Sequence, residues 1–336
     1  MARNAERRST LEPAVADAPP LAPSPAPPDD GLAWPKAFEA RHGDGLGLGV
    51  SLGGGGVFFV AWQVAYLHEL GEQGVDLAGA DRVVGTSAGS LVASVLTAGH
   101  LSRFHREVEV LSKAPKLLGA LAPAGDLHPS QERALFLFGG AADAEPDTVR
   151  SIGHAALAAQ TPAASVMARN LGVVLASRRW PSPTLHITCT DAYTGERCVV
   201  TQRSRLGIAR AVAASSAVPG LFPPQPLDDR RCMDGGVSGS GTHLDVLAGA
   251  GRVVVLALTD GAGEAVGRMT AAPGSIEREV AALRATGTEV AFRMPEEVDV
   301  AKLMDPEAVP EAIEMGRRQA RVDAHALAGF VAGGGA

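Results

Sequence analysis

The stretch DRVVGTSAGSLVAS, residues 81–94, sets Ser87 between two glycines where an apolar run gives way to small residues. Arg82, Val83 and Val84 read as the end of a strand. From Ala88 onward, Leu91, Val92, Val95 and Leu96 recur on one apolar face, which predicts a helix. Ser87 therefore falls on a strand-to-helix turn. In a G-x-S-x-G turn the serine takes a sharp, strained backbone. Only residues without bulk two before and two after, here Gly85 and Gly89, let strand and helix approach that closely. The helix N-terminus behind Ser87 adds partial positive charge where an oxyanion would form, which favours attack of the hydroxyl on an ester. In a chain with 40 glycines the pattern also arises by chance, so its meaning depends on what surrounds it.

The preceding segment repeats the same order. LGLGVSL, residues 46–52, reads as a buried strand and Gly53–Gly56 as a glycine loop; the apolar run that follows reads as a helix closed by Gly71 or Gly74. Two successive β-α units predict an α/β fold with a parallel sheet, and both loops then fall at the carboxyl ends of their strands, where such sheets place ligands. Residues 101–180 read as mostly helical, broken by Pro115, Pro123, Pro129, Pro146 and Pro162. Leu101, Phe104, Val108 and Leu111 lie at helical spacing beside Lys113 and Lys116, a pattern that fits a core-facing stripe or a lid that touches lipid. TLHITCTDAYTGERCVVTQ, residues 184–202, reads as a hairpin turning at Thr194 and Gly195. Residues 206–218 read as a small-residue helix ended by Pro219, RVVVLALTD from residue 252 as a buried strand, and residues 310–328 as a terminal helix.

Composition narrows the function. The 336 residues, 46% of them hydrophobic, suffice for a sizeable core, and the expected organisation is an Ala/Pro-rich disordered tail over residues 1–40 followed by one domain over 41–336. A net charge of -7 and an aromatic content of 4% argue against a nucleic-acid surface. Cys189, Cys198 and Cys232 form no C-x-x-C pair and fit no zinc spacing, so no metal site is expected. Cys189 and Cys198 face each other across the hairpin, but buried thiols in a reducing compartment are the expected state. Arg3, Arg7 and Arg8 are not followed by an apolar segment, and no apolar run reaches membrane-spanning length; the expected location is the cytoplasm.

Four glycines before a helix suit either a phosphate cradle or an oxyanion hole. No Gly-Lys-Ser/Thr follows and no G-x-G-x-x-G closes, which leaves backbone N–H groups of Gly54, Gly55 and Gly56 as oxyanion donors, or a flexible turn. Further on, RRCMDGGVSGSGTHLDV places Asp234 directly before Gly235 and Gly236, a carboxylate at a tight turn after a short strand. A serine nucleophile needs a base, and Asp234 can accept its proton directly or through a histidine. His243 follows by only nine residues, short for the triad of an α/β-hydrolase, and is read as an ordinary polar residue.

Taken together, GGGG at residues 53–56, GTSAGS at 85–90 and DGG at 234–236 resemble the patatin-like phospholipase family, with AVAASSAVPGLFPP before the Asp motif also similar to a family segment. The resemblance spans roughly residues 45–258. It implies a three-layer α/β fold with a mainly parallel sheet flanked by helices. It also implies a Ser-Asp dyad without histidine: Ser87 as nucleophile, Asp234 as base and the loop glycines, mainly Gly55 and Gly56, as oxyanion donors. The implied chemistry is hydrolysis of lipid acyl esters through an acyl-enzyme, with no cofactor, no calcium and transient membrane-surface contact at most. Acyl transfer, small-ester hydrolysis and non-catalytic lipid binding are the alternatives. One departure stands out. Where the family's glycine loop continues with a basic residue and another glycine, this chain holds Phe58 and Phe59, which either line an acyl pocket or belong to the helix core.

Overall fold

A computed structural model describes residues 31–114, 127–258, 274–296 and 298–333. The apolar run at Leu48–Leu52 forms strand β1, and α1 follows over Gly56–Glu72. The unit is repeated by β2 at Arg82–Thr86 and α2 at Ala88–Thr97. Four helices come next: α3 at Leu101–Ser112, α4 at Pro129–Gly139, α5 at Pro146–Ala158 and α6 at Ala164–Leu175. The expected helical character is thus present in the described part of residues 101–180, while 115–126, Lys116 among them, lie outside the described residues. The hairpin is β3 at Leu185–Asp191 and β4 at Arg197–Val200, turned at Gly195, whose φ is 76°. The small-residue helix is α7 at Ile208–Ser215, and it stops four residues before the expected breaker, Pro219. Then come β5 at Gln225–Leu227, β6 at Arg230–Asp234, β7 at Arg252–Leu256, α8 at Ser275–Ala285, β8 at Glu289–Arg293 and the long α9 at Val309–Ala332.

The sheet has a parallel core in the order β8-β7-β1-β2-β3. Strands β7, β1, β2 and β3 are buried on both faces, as a parallel sheet between helices requires, while β8 is the half-exposed edge. On one face α1 is buried almost all round because α9 covers it. Trp62 Nε1 donates to Gln319 Oε1 (2.7 Å) and the Tyr66 hydroxyl to Asp323 (2.7 Å), while Phe59, Trp62 and Tyr66 stack in sequence. The other face carries a second core around Val253, Val255, Leu244, Leu247 and the α8 residues Ile276, Val280 and Leu283. The result is the expected three-layer α/β architecture. Residues 1–30 of the expected tail lie outside the described residues. Residues 31–40, assigned to that tail, pack on the domain: Leu32 is buried, Ala33 bridges to Cys198 and the Trp34 N–H donates to Arg197. An apolar Leu and Trp at the end of a Pro-rich segment are enough to dock it.

Register at β3 decides what the sheet brings together. One edge of β3 pairs with β4 from Ile187 to Thr190. Along the opposite edge β2 runs parallel as far as Thr86 opposite Thr188, and β6 then takes over antiparallel, with Asp234 opposite Cys189. The end of β2 and the end of β6 therefore meet on adjacent rungs of one strand. Ser87 follows the first and Asp234 closes the second.

Candidate active site

Ser87 sits where the sequence puts it, between β2 and α2, with φ 53° and ψ -123°. That left-handed backbone carries about 1–3 kcal/mol of strain in a residue with a Cβ, so the surroundings must hold it. The Ser87 N–H donates to Ser215 Oγ (2.9 Å), and the Ser87 carbonyl accepts from Ser90 Oγ (2.6 Å) and Ser216 Oγ (3.2 Å). Gly89 lies against the end of β1: its N–H donates to the Gly53 carbonyl (3.1 Å), and a Cβ there would overlap the Leu52 carbonyl. At Gly85 a Cβ would come within 2.7 Å of Gly89 and Ser90 backbone atoms. Both elbow glycines therefore stand where strand and helix touch.

The glycine loop lies beside the serine because β1 and β2 are parallel neighbours, with Leu52 opposite Gly85. A Cβ on Gly54 would be 2.9 Å from Ser87 Cβ and 3.5 Å from its Oγ, so only a bare backbone fits against that side chain. Among the described residues, the N–H groups of Gly54, Gly55 and Gly56 donate to no acceptor, while that of Gly53 is held by Leu256 (2.8 Å). Three unused donors at the start of α1 next to a serine hydroxyl can bind a negative oxygen. The Gly53 carbonyl also accepts from Gln63 Nε2 (2.9 Å), a fully buried side chain about two turns into α1. Phe58 and Phe59 are fully buried in the main core, and Phe59 stacks on Trp62. Of their two readings, helix core is the one these surroundings match.

Asp234 is 2% exposed. Its Oδ1 accepts the Gly236 N–H (2.8 Å), tying the carboxylate to its own turn, and its Oδ2 is buried with no hydrogen-bond partner. Burial pushes its pKa up from 3.8 to about 7, although the neighbouring Ser87 hydroxyl and the Gly236 N–H both favour the charged form. A carboxylate with that affinity for a proton, beside a serine, can act as a general base near neutrality. Gly235 has no room for a side chain, since a Cβ would lie 2.8 Å from the Thr188 carbonyl. His243 is fully buried behind this turn; its Nε2 bonds the Gly235 carbonyl (3.0 Å), and burial, with help from Arg197, lowers its pKa to about 4. It is a neutral prop of the DGG turn.

Sequence reasoning missed the bracket that joins the two halves. Ser215 and Ser216 grip Ser87, and the Ala217 carbonyl accepts the Asp234 N–H (3.0 Å), so one short segment after α7 positions nucleophile and carboxylate together. The signal available was a pair of serines ending an otherwise apolar helix. Gln63 carried a weaker signal: one amide in a run of apolar helix residues.

Residues 50–247 match the family model of the patatin-like phospholipases, a stretch that takes in the glycine loop, the elbow and the Asp motif and covers more than half of the chain. Among solved structures the chain is similar to VipD from Legionella pneumophila, with a TM-score of 0.40 and 14% identity over 83% of this chain. It is also similar to the type III effector protein ExoU, with a TM-score of 0.31 and 18% identity over 82% of this chain. It spans 66% of the first and 53% of the second. Among the described residues no helix is long and apolar enough to cross a membrane. With its family match over the segment that holds Ser87 and Asp234, the chain belongs to the patatin-like phospholipases, a family of lipid ester hydrolases.

Proposed function

We propose that this chain hydrolyses carboxylic esters of lipids, as a phospholipase A or lysophospholipase, through a Ser87–Asp234 dyad. The observation that carries the reading is the meeting of the two residues on one edge of β3, beside a loop whose N–H groups have no other acceptor. Asp234 takes the Ser87 proton as Oγ attacks the ester carbonyl, and the carbonyl electron pair moves onto oxygen, where N–H groups of Gly54, Gly55 and Gly56 hold it. Collapse expels the alkoxide of the leaving group, which takes the proton from Asp234 and leaves the acyl group on Ser87. Water then attacks the acyl-enzyme, gives its proton to Asp234, and its collapse returns that proton to Ser87 and releases the fatty acid. Phe136 on α4 and Val166 and Val173 on α6 are exposed apolar side chains in the helical region, and they are the proposed points of transient contact with a lipid surface. A cytoplasmic location belongs to the same proposal and rests on three buried cysteines in the thiol state.

The test is hydrolysis of p-nitrophenyl esters of increasing acyl length by the wild type, Ser87→Ala and Asp234→Asn. Activity should rise with chain length and vanish in both variants. Retention of activity by Ser87→Ala refutes the mechanism. Lipid association without turnover, and without reaction with a fluorophosphonate, favours a binding protein.

A further inference from the structure

The sheet adds a third cysteine, Cys232, to the pair that the hairpin sets face to face. Cys189 on β3 is directly opposite Cys198 on β4, and Cys232 on β6 lies across from Asp191 on the other edge of β3. Paired residues share a face of a sheet, and residues two apart on a strand share one as well. Cys189 thus shares a face with Cys198 and, through its pair Asp234, with Cys232. Their Sγ atoms all lie within 4.8 Å of one another, and each side chain is fully buried.

We propose that Cys189, Cys198 and Cys232 form a three-coordinate site for a soft, thiolate-seeking d10 metal ion. Three sulfurs around a trigonal ion at a bond length of about 2.3 Å stand about 4.0 Å apart. From a 4.8 Å triangle each sulfur need move inward by only about 0.5 Å, within reach of a small side-chain rotation. The donor set is sulfur alone, which selects against magnesium and calcium. Each thiol gives up its proton as its sulfur binds, so a divalent ion releases three protons and binds more tightly as pH rises. The resulting complex carries one net negative charge, close to the buried Arg230 that pairs with Asp191 and Glu196. The site ties β4, β3 and β6 together, with Cys189 and Cys198 on the rung of Asp234 itself and Cys232 two residues before it.

The experiment is a titration of the full, phosphine-reduced chain with cadmium chloride under argon. The expected result is an ultraviolet sulfur-to-cadmium charge-transfer band that saturates at one ion per chain, with proton release and a raised unfolding temperature. Magnesium chloride should give neither effect. Cys198→Ser and Cys232→Ala should lose the band, while Ser87→Ala should keep it, which separates this proposal from the catalytic one. A folded wild type without the band overturns the site. So does an unfolding temperature lowered by cadmium, because the ion is then captured by the unfolded chain; this reading needs no variant to fold.

Discussion

Replacing Asp234 by Asn should stabilise the folded protein while abolishing its activity, and the stabilisation should depend on pH. Burial raises the Asp234 pKa from 3.8 to about 7, which corresponds to a penalty of about 4 kcal/mol on the charged carboxylate in the folded state. The folded form therefore holds the proton more tightly than the unfolded chain. The stability this confers is fully present below pH 3.8 and is lost as pH rises to about 7. Asn carries no such proton. Its carbonyl can keep the Gly236 N–H, and its amide fills the place of an Oδ2 that has no partner. The stability gap between Asp234→Asn and wild type, measured by urea unfolding, should accordingly widen by about 4 kcal/mol between pH 4 and pH 8. The same ionisation should govern catalysis: wild-type kcat/KM for an ester should rise through about pH 7 and level off, since the base must be deprotonated. A stability gap that does not change with pH would refute the claim that burial controls Asp234. A flat rate profile from pH 5 to 8 would refute its role as base.

Two further substitutions test the supports of the site. Gln63→Leu removes the Nε2 tether on the Gly53 carbonyl together with a buried Oε1 that has no partner. Its kcat should fall about tenfold, equivalent to about 1.4 kcal/mol, with little change in KM; thermal unfolding should show no loss of stability, because an unsatisfied polar atom leaves the core. Arg197 makes a bidentate pair with Asp245, both side chains buried, and donates to the carbonyls of the half-buried Trp34 and the exposed Pro35. Arg197→Met should cost about 3–5 kcal/mol in urea unfolding by stranding the Asp245 charge, and adding Asp245→Leu should recover part of that loss.

The features legible in the sequence were those encoded over short spans. The two β-α units, the hairpin at Gly195 and the turn at Asp234 each come from local periodicity or punctuation, and the structure has them where the residues indicate. What depends on strand order could not be read. Cys189 and Cys198 are legible as partners across the hairpin, but nothing local marks Cys232 as their neighbour; the exchange of β2 for β6 along β3 makes it so. The same exchange brings Asp234 to Ser87. Glycine positions were legible because a close approach tolerates no alternative. Ser215, Ser216 and Gln63 were not, since a hydroxyl or amide in an apolar helix has many ordinary uses, and only the fold shows which backbone group it meets.

The distribution of satisfied and unsatisfied groups around Ser87 is itself a functional argument. Proteins pair nearly all their buried polar groups. Here the backbone of Ser87 is fully engaged, by Ser215 at its N–H and by Ser90 and Ser216 at its carbonyl, although its conformation is strained. Among the described residues, the Asp234 Oδ2 and the N–H groups of Gly54, Gly55 and Gly56 are without partners, as are Gln63 Oε1 and His243 Nδ1 farther back. In the proposed mechanism the first takes the Ser87 proton and the three N–H groups receive the developing oxyanion. A site that spent its hydrogen bonds on holding the serine, and kept an acceptor and several donors open on either side of it, needs no reorganisation when charge moves from Oγ to the substrate oxygen. On the proposed mechanism the supporting serines should therefore matter as much as Ser87 and Asp234: if they let Ser87 relax into an ordinary turn, the open donors would remain, but the hydroxyl would no longer be held for attack.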